Sequence, residues 1–286
     1  MTTTRRVLLS QPRNQRHLAL IFLALSALVG LACSTLAAHD TTFVPATPGI
    51  LRVATSLPAP GFWNGADAES ISGGLEYAMA REFATRWSLQ LEIVDIPFQR
   101  IVAGDMGGAD LALAQIAVTS TRSRRFPTSI PYMSANFGIL TRSGVSIPDL
   151  ATARSKNWVV EDATTELAFL RRIMPSSAEL TVVDSRDLTL QLLTTGGADA
   201  ALLDLPTALT TASLSQGHLS VAAQFVTNQQ LAAALPPGSS NLEPLNVVLR
   251  NLISSGRIEQ FRKTQLVPIF GRDPAGVPVI VAQTTG

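Results

Sequence analysis

Short apolar segments with strand propensity alternate with helical segments twice along this chain. In the first half, residues 51–55 and 91–96 are typical of strands, and residues 74–87 between them carry apolar side chains at helical spacing. A short helix over 98–104 and a strand over 109–113 complete this half. The order strand, helix, strand, helix, strand predicts a parallel sheet with helices on its faces.

The same alternation returns further along the chain. The predicted strands and helices of this second half cover residues 158–160, 165–173, 180–183, 187–194, 198–203 and 206–212. Ser185 is placed to cap the helix that begins near Asp187. The sequence therefore predicts two α/β halves of similar size.

Two extended segments connect these halves. Residues 132–141 can cross from the first half to the second, and residues 225–234 can cross back to the closing helices at 241–255 and 258–265. The predicted fold class is a two-lobed α/β protein, in which each lobe is a mainly parallel sheet flanked by helices and a two-strand hinge joins the lobes. Such a hinge supports closure of a cleft around a ligand.

The predicted domain organisation follows from these segments. It consists of a signal peptide over 1–38, a spacer over 39–49, a first lobe from 50–138 plus 227–270, a second lobe over 139–226 and a flexible tail over 271–286. About 20 residues follow the two predicted lobes, and no catalytic or kinase module is expected after them.

The beginning of the chain is typical of an export signal. Arg5, Arg6, Arg13 and Arg16 precede an apolar run at 18–32, which has the length of a signal-peptide core and is short for a membrane span. We therefore expect a periplasmic or extracellular protein. A membrane anchor formed by the same run is the alternative.

Cys33 is the only cysteine of the chain. It ends a Gly-Leu-Ala-Cys segment that is similar to a lipoprotein cleavage box, so lipidation of Cys33 and tethering to the membrane compete with cleavage near Ala37 or Ala38. The mature domain has no disulfide and no cysteine ligand for a metal in either case.

The charge balance excludes one class of partner. Without the four leader arginines, 18 basic residues face 21 acidic ones, a net charge of about −3. Such a body has no electrostatic footprint for nucleic acid. His39 and His218 are the only histidines after the leader, and no zinc-protease, P-loop or dinucleotide motif is present. We therefore expect no enzyme activity, no cofactor and no metal.

Several short motifs occur in a fixed order. They are LRVAT at 51–55, GLEY at 74–77, TSTR at 119–122, SIPY at 129–132, GADAALLD at 197–204 and the helical close at 245–266. In this order the chain resembles the family-3 extracellular solute-binding proteins of amino-acid ABC importers, which have the type II periplasmic binding fold. The resemblance covers about residues 51–267.

An α-amino acid carries a carboxylate and an ammonium, and both need opposite partners when they leave water. Arg122 can hold a carboxylate with its planar fork, and the resemblance gives it this role. Asp204 ends an apolar strand, where α/β sheets bind ligands, and the resemblance implies that it binds the ammonium. The alternative for Arg122 is a surface arginine beside Arg124 and Arg125, and the alternative for Asp204 is a helix N-cap.

Further site residues follow from the same resemblance. Thr164 and Thr165 lie at a helix start that favours an anion, although a simple threonine cap explains them equally. Gln115 and Ala117 precede the TSTR motif, and Ala117 can offer only its backbone. Ala163 replaces the family's glycine, which tightens that turn.

The wall of the predicted site is the least defined part. Glu161 falls where the family places a side chain that faces the ligand, and a solvated surface glutamate is its alternative. Ser56 stands where the family often has aspartate. Phe62, Trp63 and Phe98 are candidate aromatic walls, and burial in the core is their alternative.

The resemblance implies a monomeric solute-binding protein that captures a small amino-acid-like ligand and delivers it to an ABC permease. One alternative is a periplasmic enzyme of the same fold, such as a cyclohexadienyl dehydratase, with Glu161 as general acid. Another is a ligand-sensing module that acts with a partner protein.

Overall fold

The first sheet contains three parallel strands. In the computed structural model, which describes residues 42–175 and 179–282, these strands lie in the order β2-β1-β3. They are β1 (Ile50–Thr55), β2 (Gln90–Asp95) and β3 (Leu111–Ala112). One helix follows each strand in the chain: α1 (Leu75–Arg86) after β1, α2 (Phe98–Ala103) after β2 and the short α3 (Ser120–Ser123) after β3.

Burial of apolar faces explains this lobe. Leu51 and Val53 of β1 are fully buried, as are Leu75, Met79 and Phe83 on one face of α1. The latter residues recur at a spacing of four, so they form one stripe of the helix. The predicted helix at 74–87 therefore packs on the predicted sheet.

The second sheet contains five strands in the order β6-β5-β7-β4-β8. They are β4 (Met133–Arg142), β5 (Trp158–Glu161), β6 (Leu180–Val183), β7 (Ala200–Asp204) and β8 (Leu219–Leu231). Strand β5 is parallel to β6 and β7, whereas β4 is antiparallel to β7 and β8. The helices of this lobe are α4 (Leu150–Arg154), α5 (Thr165–Ile173), α6 (Arg186–Thr195) and α7 (Leu205–Leu214).

The two crossing segments have a double role. Strands β4 and β8 pair with each other from Met133 and Leu231 at the hinge to Arg142 and Leu219, so they belong to the second sheet as well as to the connection. Ala234, just past β8, forms bridges with Ala112 and Thr128 of the first lobe. The hinge is therefore continuous with the second sheet.

The closing helices pack against the first lobe. They are α8 (Leu242–Ser254) and α9 (Arg257–Phe261), followed by a π-helical turn at Arg262–Leu266. The predicted helix at 258–265 thus consists of α9 and this turn. Among residues 42–175 and 179–282, no helix combines the length and apolar character that crossing a bilayer requires.

The last described residues contact the outer edge of the second sheet. Gln224 of β8 donates its backbone N–H to Pro278 and accepts from Ile280, whose side chain is buried. The predicted flexibility of residues 271–286 and the predicted lobe boundaries remain predictions. The predicted signal peptide and Cys33 lie outside the described residues.

Candidate functional site

A small cavity of about 30 Å³ lies in the cleft between the two lobes. Its walls come from loops after the strands of both sheets, where α/β proteins place their ligands. Seven of the predicted ligand-binding residues line it: Phe98, Gln115, Arg122, Glu161, Thr164, Thr165 and Asp204.

Arg122 reaches this cavity from the first lobe. Its side chain is only 6% exposed and lies over the ring of Phe98, with Cζ 5.4 Å from the ring centroid. Nη1 donates to the carbonyl of Ala117 at 2.9 Å, and Nη2 donates across the cleft to the carbonyl of Ala163 at 3.0 Å. Burial lowers the pKa of this guanidinium. Arg122 is therefore a buried fork whose acceptors are neutral carbonyls.

Asp204 reaches the cavity from the end of β7 in the second lobe. It precedes α7, but its side chain makes no capping hydrogen bond. The carboxylate instead accepts from the side-chain amide of Gln229. Burial raises the pKa of Asp204 well above its usual range, and the charge of Glu166 raises it further. The alternative role of a helix cap is therefore not the one that this carboxylate takes.

Two glutamates add to the negative charge of this wall. Glu161 is 6% exposed at the end of β5, so the alternative of a solvated surface residue is wrong. Glu166 was not predicted; it is 8% exposed in the first turn of α5 and accepts from the Thr165 hydroxyl at 3.2 Å. Burial raises the pKa of both glutamates. Their side chains thus resist ionisation.

The threonines at the start of α5 combine both predicted roles. Thr164 accepts the backbone N–H of Leu167 at 3.1 Å, which is the capping bond, and it also lines the cavity. Thr165 hydrogen bonds to Gln229 at 2.9 Å. Ala163 adopts a left-handed backbone with φ of 58°, a conformation that glycine takes without strain.

Arg186 is a second guanidinium that the sequence analysis missed. From the first residue of α6 it crosses the cleft, where Nη1 donates to the carbonyl of Pro58 at 2.8 Å and Nη2 to Gln115 at 3.4 Å. Its Nε atom is buried and has no hydrogen-bond partner among the described residues. The available signal was its place just after β6, at the carboxyl end of the sheet.

Five ionisable groups thus face one cavity. None of the two guanidiniums and three carboxyls forms an ion pair within 4.0 Å, as judged over residues 42–175 and 179–282. Buried charges are costly when they lack opposite partners. This arrangement can bind a molecule that carries charges of both signs.

The remaining predicted residues lie outside the central cavity. Ser56 lines an adjoining cavity of about 190 Å³ with Phe98, Glu161 and Arg186. Ala117 contributes its carbonyl to Arg122, as expected for a residue that offers only backbone.

The structure corrects the prediction that Phe62 or Trp63 forms an aromatic wall of the site. Both side chains are fully buried in the core of the first lobe and line neither cavity of the cleft. Their apolar area is removed from water by packing against α1 and its neighbours, which is the core alternative. The indole of Trp63 donates to Glu76 at 2.8 Å instead of facing a ligand.

Glu76 organises the first-lobe wall from behind. It is fully buried and accepts from Trp63, from the backbone and side-chain amides of Gln115 at 2.9 and 2.5 Å, and from the hydroxyl of Tyr132. Gln115 has a left-handed backbone with φ of 50°. Glu76 therefore fixes a strained residue that lines the cleft.

A separate cavity of about 520 Å³ lies behind the hinge strands, against Tyr132, Ala135 and Leu209. Its charged lining residues, Glu259 and Arg262, already pair with each other at 2.7 Å. The cleft is therefore the candidate site because of its guanidinium and carboxyl groups, which are unpaired among the described residues, although its central cavity is smaller. The described part of the chain contains no cluster of three or more His, Cys, Asp or Glu residues arranged for a metal ion.

Comparison with known proteins identifies the relatives of this chain. The family model described as bacterial extracellular solute-binding proteins, family 3, matches residues 51–265. A structure of an amino-acid ABC transporter substrate-binding protein from Streptococcus pneumoniae, bound to L-arginine, is similar at 26% identity and a TM-score of 0.68. The match covers 77% of this chain and 94% of that one. The predicted family and fold class are confirmed.

A second similar structure shares the fold alone. It is an ancestral amino-acid-binding protein described as a precursor of cyclohexadienyl dehydratase, with 22% identity and a TM-score of 0.67. The match covers 76% of this chain and 96% of that chain.

The curated relatives correct one prediction. Membrane-bound lytic murein transglycosylase F from Idiomarina loihiensis is 28% identical over 84% of this chain. The chain spans only about half of that relative, 54% of its length. Because relatives of this name are enzymes, the firm prediction that the protein is not an enzyme was wrong. Binding-site residues alone do not reveal what a related chain catalyses.

Proposed function

Because the chain belongs to the bacterial extracellular solute-binding proteins, family 3, we propose that it binds a small amino-acid-like ligand between its two lobes. It acts outside the cytoplasm as a monomer and presents the ligand to an ABC permease. Lipidation of Cys33 would tether it to the membrane.

One observation carries this proposal: Arg122 and Asp204, from different lobes, line the same cavity. A guanidinium fork suits a carboxylate, and a buried carboxylate suits an ammonium. In the proposed complex Arg122 exchanges its bond to the Ala163 carbonyl for the ligand carboxylate, and Asp204 ionises to hold the ammonium.

Binding requires the lobes to separate first. A central cavity of about 30 Å³ holds on the order of two water molecules, which is too little for an amino acid. Opening breaks the hydrogen bonds from Arg122 to Ala163, from Arg186 to Pro58 and from Gln99 to Asp184. Closure around the ligand then replaces these contacts.

The test is calorimetric titration of the mature protein with L-arginine, after a thermal-shift panel of the common amino acids. We expect Arg122→Ala to weaken binding by about 30-fold or more, since the loss of one partner of a desolvated charge pair costs about 2 to 5 kcal/mol. Arg124→Ala, an exposed neighbour, is the matched control. An unchanged affinity in Arg122→Ala contradicts the proposed clamp.

A second candidate is a ligand-sensing module that acts with a murein-cleaving enzyme. The observation that favours it is the match to about half the length of the transglycosylase relative. Purified murein incubated with the protein, with and without amino acids, tests it. Release of soluble fragments would favour this candidate, and conversion of a cyclohexadienyl acid would favour the dehydratase alternative.

A further inference from the structure

On the side of Arg122, the cleft opens into a larger cavity of about 510 Å³. We name it the outer arginine pocket, because Arg122, Arg125 and Arg171 line it. Arg125 follows α3 in the first lobe, and Arg171 lies on α5 in the second. Since Arg122 and the two threonines of α5 also line the central cavity, the two cavities adjoin.

The charge of this pocket is not balanced by protein groups. Three guanidiniums line it against a single carboxylate, that of Asp162. Arg125 and Arg171 are exposed and form no ion pair over residues 42–175 and 179–282. Within the described part of the chain, the guanidinium of Arg125 makes only a long hydrogen bond of 3.5 Å to the carbonyl of Val102.

Seven other arginines in the described part of the chain pair with acidic side chains, whereas others such as Arg81 and Arg172 do not. Arg52 pairs with Glu92 at 2.9 Å, and Arg100 pairs with Asp105 at 2.8 Å. The outer arginine pocket therefore differs from an ordinary charged surface, because cations from two lobes converge on one space. Such a convergence attracts an anionic group.

The cavity that adjoins the central one at Glu161 and Arg186 has the opposite character. The adjoining cavity of about 190 Å³ is lined by Asp95, Glu161 and Asp184 with Arg186 as its single cation. The small central cavity thus adjoins a mainly acidic cavity and a mainly basic one.

We infer that the ligand is a peptide-like zwitterion longer than a free amino acid, with its ammonium near Asp204 and its carboxylates in the outer arginine pocket. This inference rests on the proposed function. Arg122 already donates to two neutral carbonyls, at 2.9 and 3.0 Å, so it can hold the carbonyl of a peptide bond. A volume of about 510 Å³ accommodates a second residue, since ligand pockets span roughly 300 to 1,000 Å³.

The test compares three probes by calorimetry: L-arginine, L-arginyl-L-glutamate and L-arginyl-L-glutaminamide. The arginyl group suits the mainly acidic cavity, and the two dipeptides differ only in their carboxylates. We expect the acidic dipeptide to bind about tenfold more tightly than the neutral one, a difference that salt reduces. The double variant Arg125→Gln/Arg171→Gln should bring the two dipeptides within about twofold of each other.

Arg124→Gln is the matched control, because Arg124 is exposed in the same turn and does not line the pocket. It should keep the tenfold difference. If L-arginine binds and the dipeptides do not, or if the double variant keeps the full difference, the inference is overturned and the proposed function stands. If none of the three probes and none of the common amino acids binds, both are overturned.

Discussion

Two regions of the molecule bury carboxyl groups, and the hydrogen bonds that these groups accept differ in number. In the first lobe, Glu76 accepts hydrogen bonds from three residues and four donor groups. In the second lobe, Asp204 accepts from Gln229 and Glu166 accepts from its neighbour Thr165. Neither carboxyl has a basic side chain within 4.0 Å among the residues that the structure describes. Equal burial therefore does not mean an equal role: a carboxyl that accepts from four protein donors supports the fold, and one that accepts from a single donor keeps acceptor capacity for the proposed ligand.

The largest expected effect concerns Glu76. Glu76→Gln replaces one acceptor oxygen by a donor amide that faces the donors of Trp63 and Gln115. Since each buried unsatisfied donor costs about 1 to 3 kcal/mol, we expect the free energy of unfolding to fall by about 3 kcal/mol. Urea unfolding measures this, and Glu69→Gln at the surface should change it by less than about 0.5 kcal/mol. A cost below that of the control would remove the distinction between the two regions.

Asp204→Asn tests the other side of the comparison. The substitution keeps the shape and the bond from Gln229, and the carboxyl that it replaces resists ionisation in the free protein, so stability should change by less than about 1 kcal/mol. Affinity for L-arginine should fall by about 30-fold, or about 2 kcal/mol, because the ammonium loses its partner. Calorimetry and urea unfolding on the same preparation separate the two quantities. A large loss of stability with unchanged affinity would place Asp204 among the structural acids.

The pH dependence of stability sharpens the comparison further. Burial raises the folded-state pKa of Glu76 in the first lobe and of Glu161, Glu166 and Asp204 in the second. The contribution of these groups to stability is present below the ordinary carboxyl pKa and is lost as the pH rises through the raised values. Without ligand, we expect the free energy of unfolding to fall as the pH rises above about 4, the ordinary carboxyl pKa. A double variant, Glu166→Gln/Asp204→Asn, should flatten this profile in urea unfolding at each pH. An equal slope in both proteins would contradict the assignment.

The smallest expected effect concerns the backbone of the two walls. Gln115 and Ala163 both have a left-handed conformation, but only Gln115 is fixed by Glu76. Ala163→Gly should raise the free energy of unfolding by up to about 1 kcal/mol, since glycine adopts this conformation without strain. Ala168→Gly inside α5 should lower it by about 1 kcal/mol. Thermal unfolding of both variants measures the difference, and a loss in Ala163→Gly would argue against backbone strain there.

Much of the fold could be predicted because the periodicity of apolar residues is local. The predicted segments at 165–173 and 180–183 coincide with α5 and β6, and Ser185 caps α6 through the N–H of Leu188 at 3.2 Å. The pairing of β4 with β7 was not predicted. It joins residues about 60 positions apart, and no local pattern encodes such a partner.

Residues of the candidate site that belong to a sequence motif could be predicted, whereas residues that reach the cleft only through the tertiary structure were missed. Arg122 and Asp204 belong to the short motifs TSTR and GADAALLD, which can be recognised in the sequence. Glu166 has the pattern of an ordinary acid in the first turn of a helix, and Arg186 reaches the cleft only because the lobes approach each other. Phe62 and Trp63 were misassigned because composition does not tell a buried aromatic ring from a ligand-facing one.

The path of the chain has a consequence for synthesis. The second sheet is made from one continuous stretch, from Met133 to Leu231, whereas the first lobe gains its contacts to Ala112 and Thr128 only when Ala234 arrives. On an emerging polypeptide the five strands of the second sheet can therefore pair before the first lobe receives its contacts from Ala234, and residues 278–280 join the outer edge of that sheet afterwards. Pulsed hydrogen exchange during refolding should protect β5 and β7 before β3.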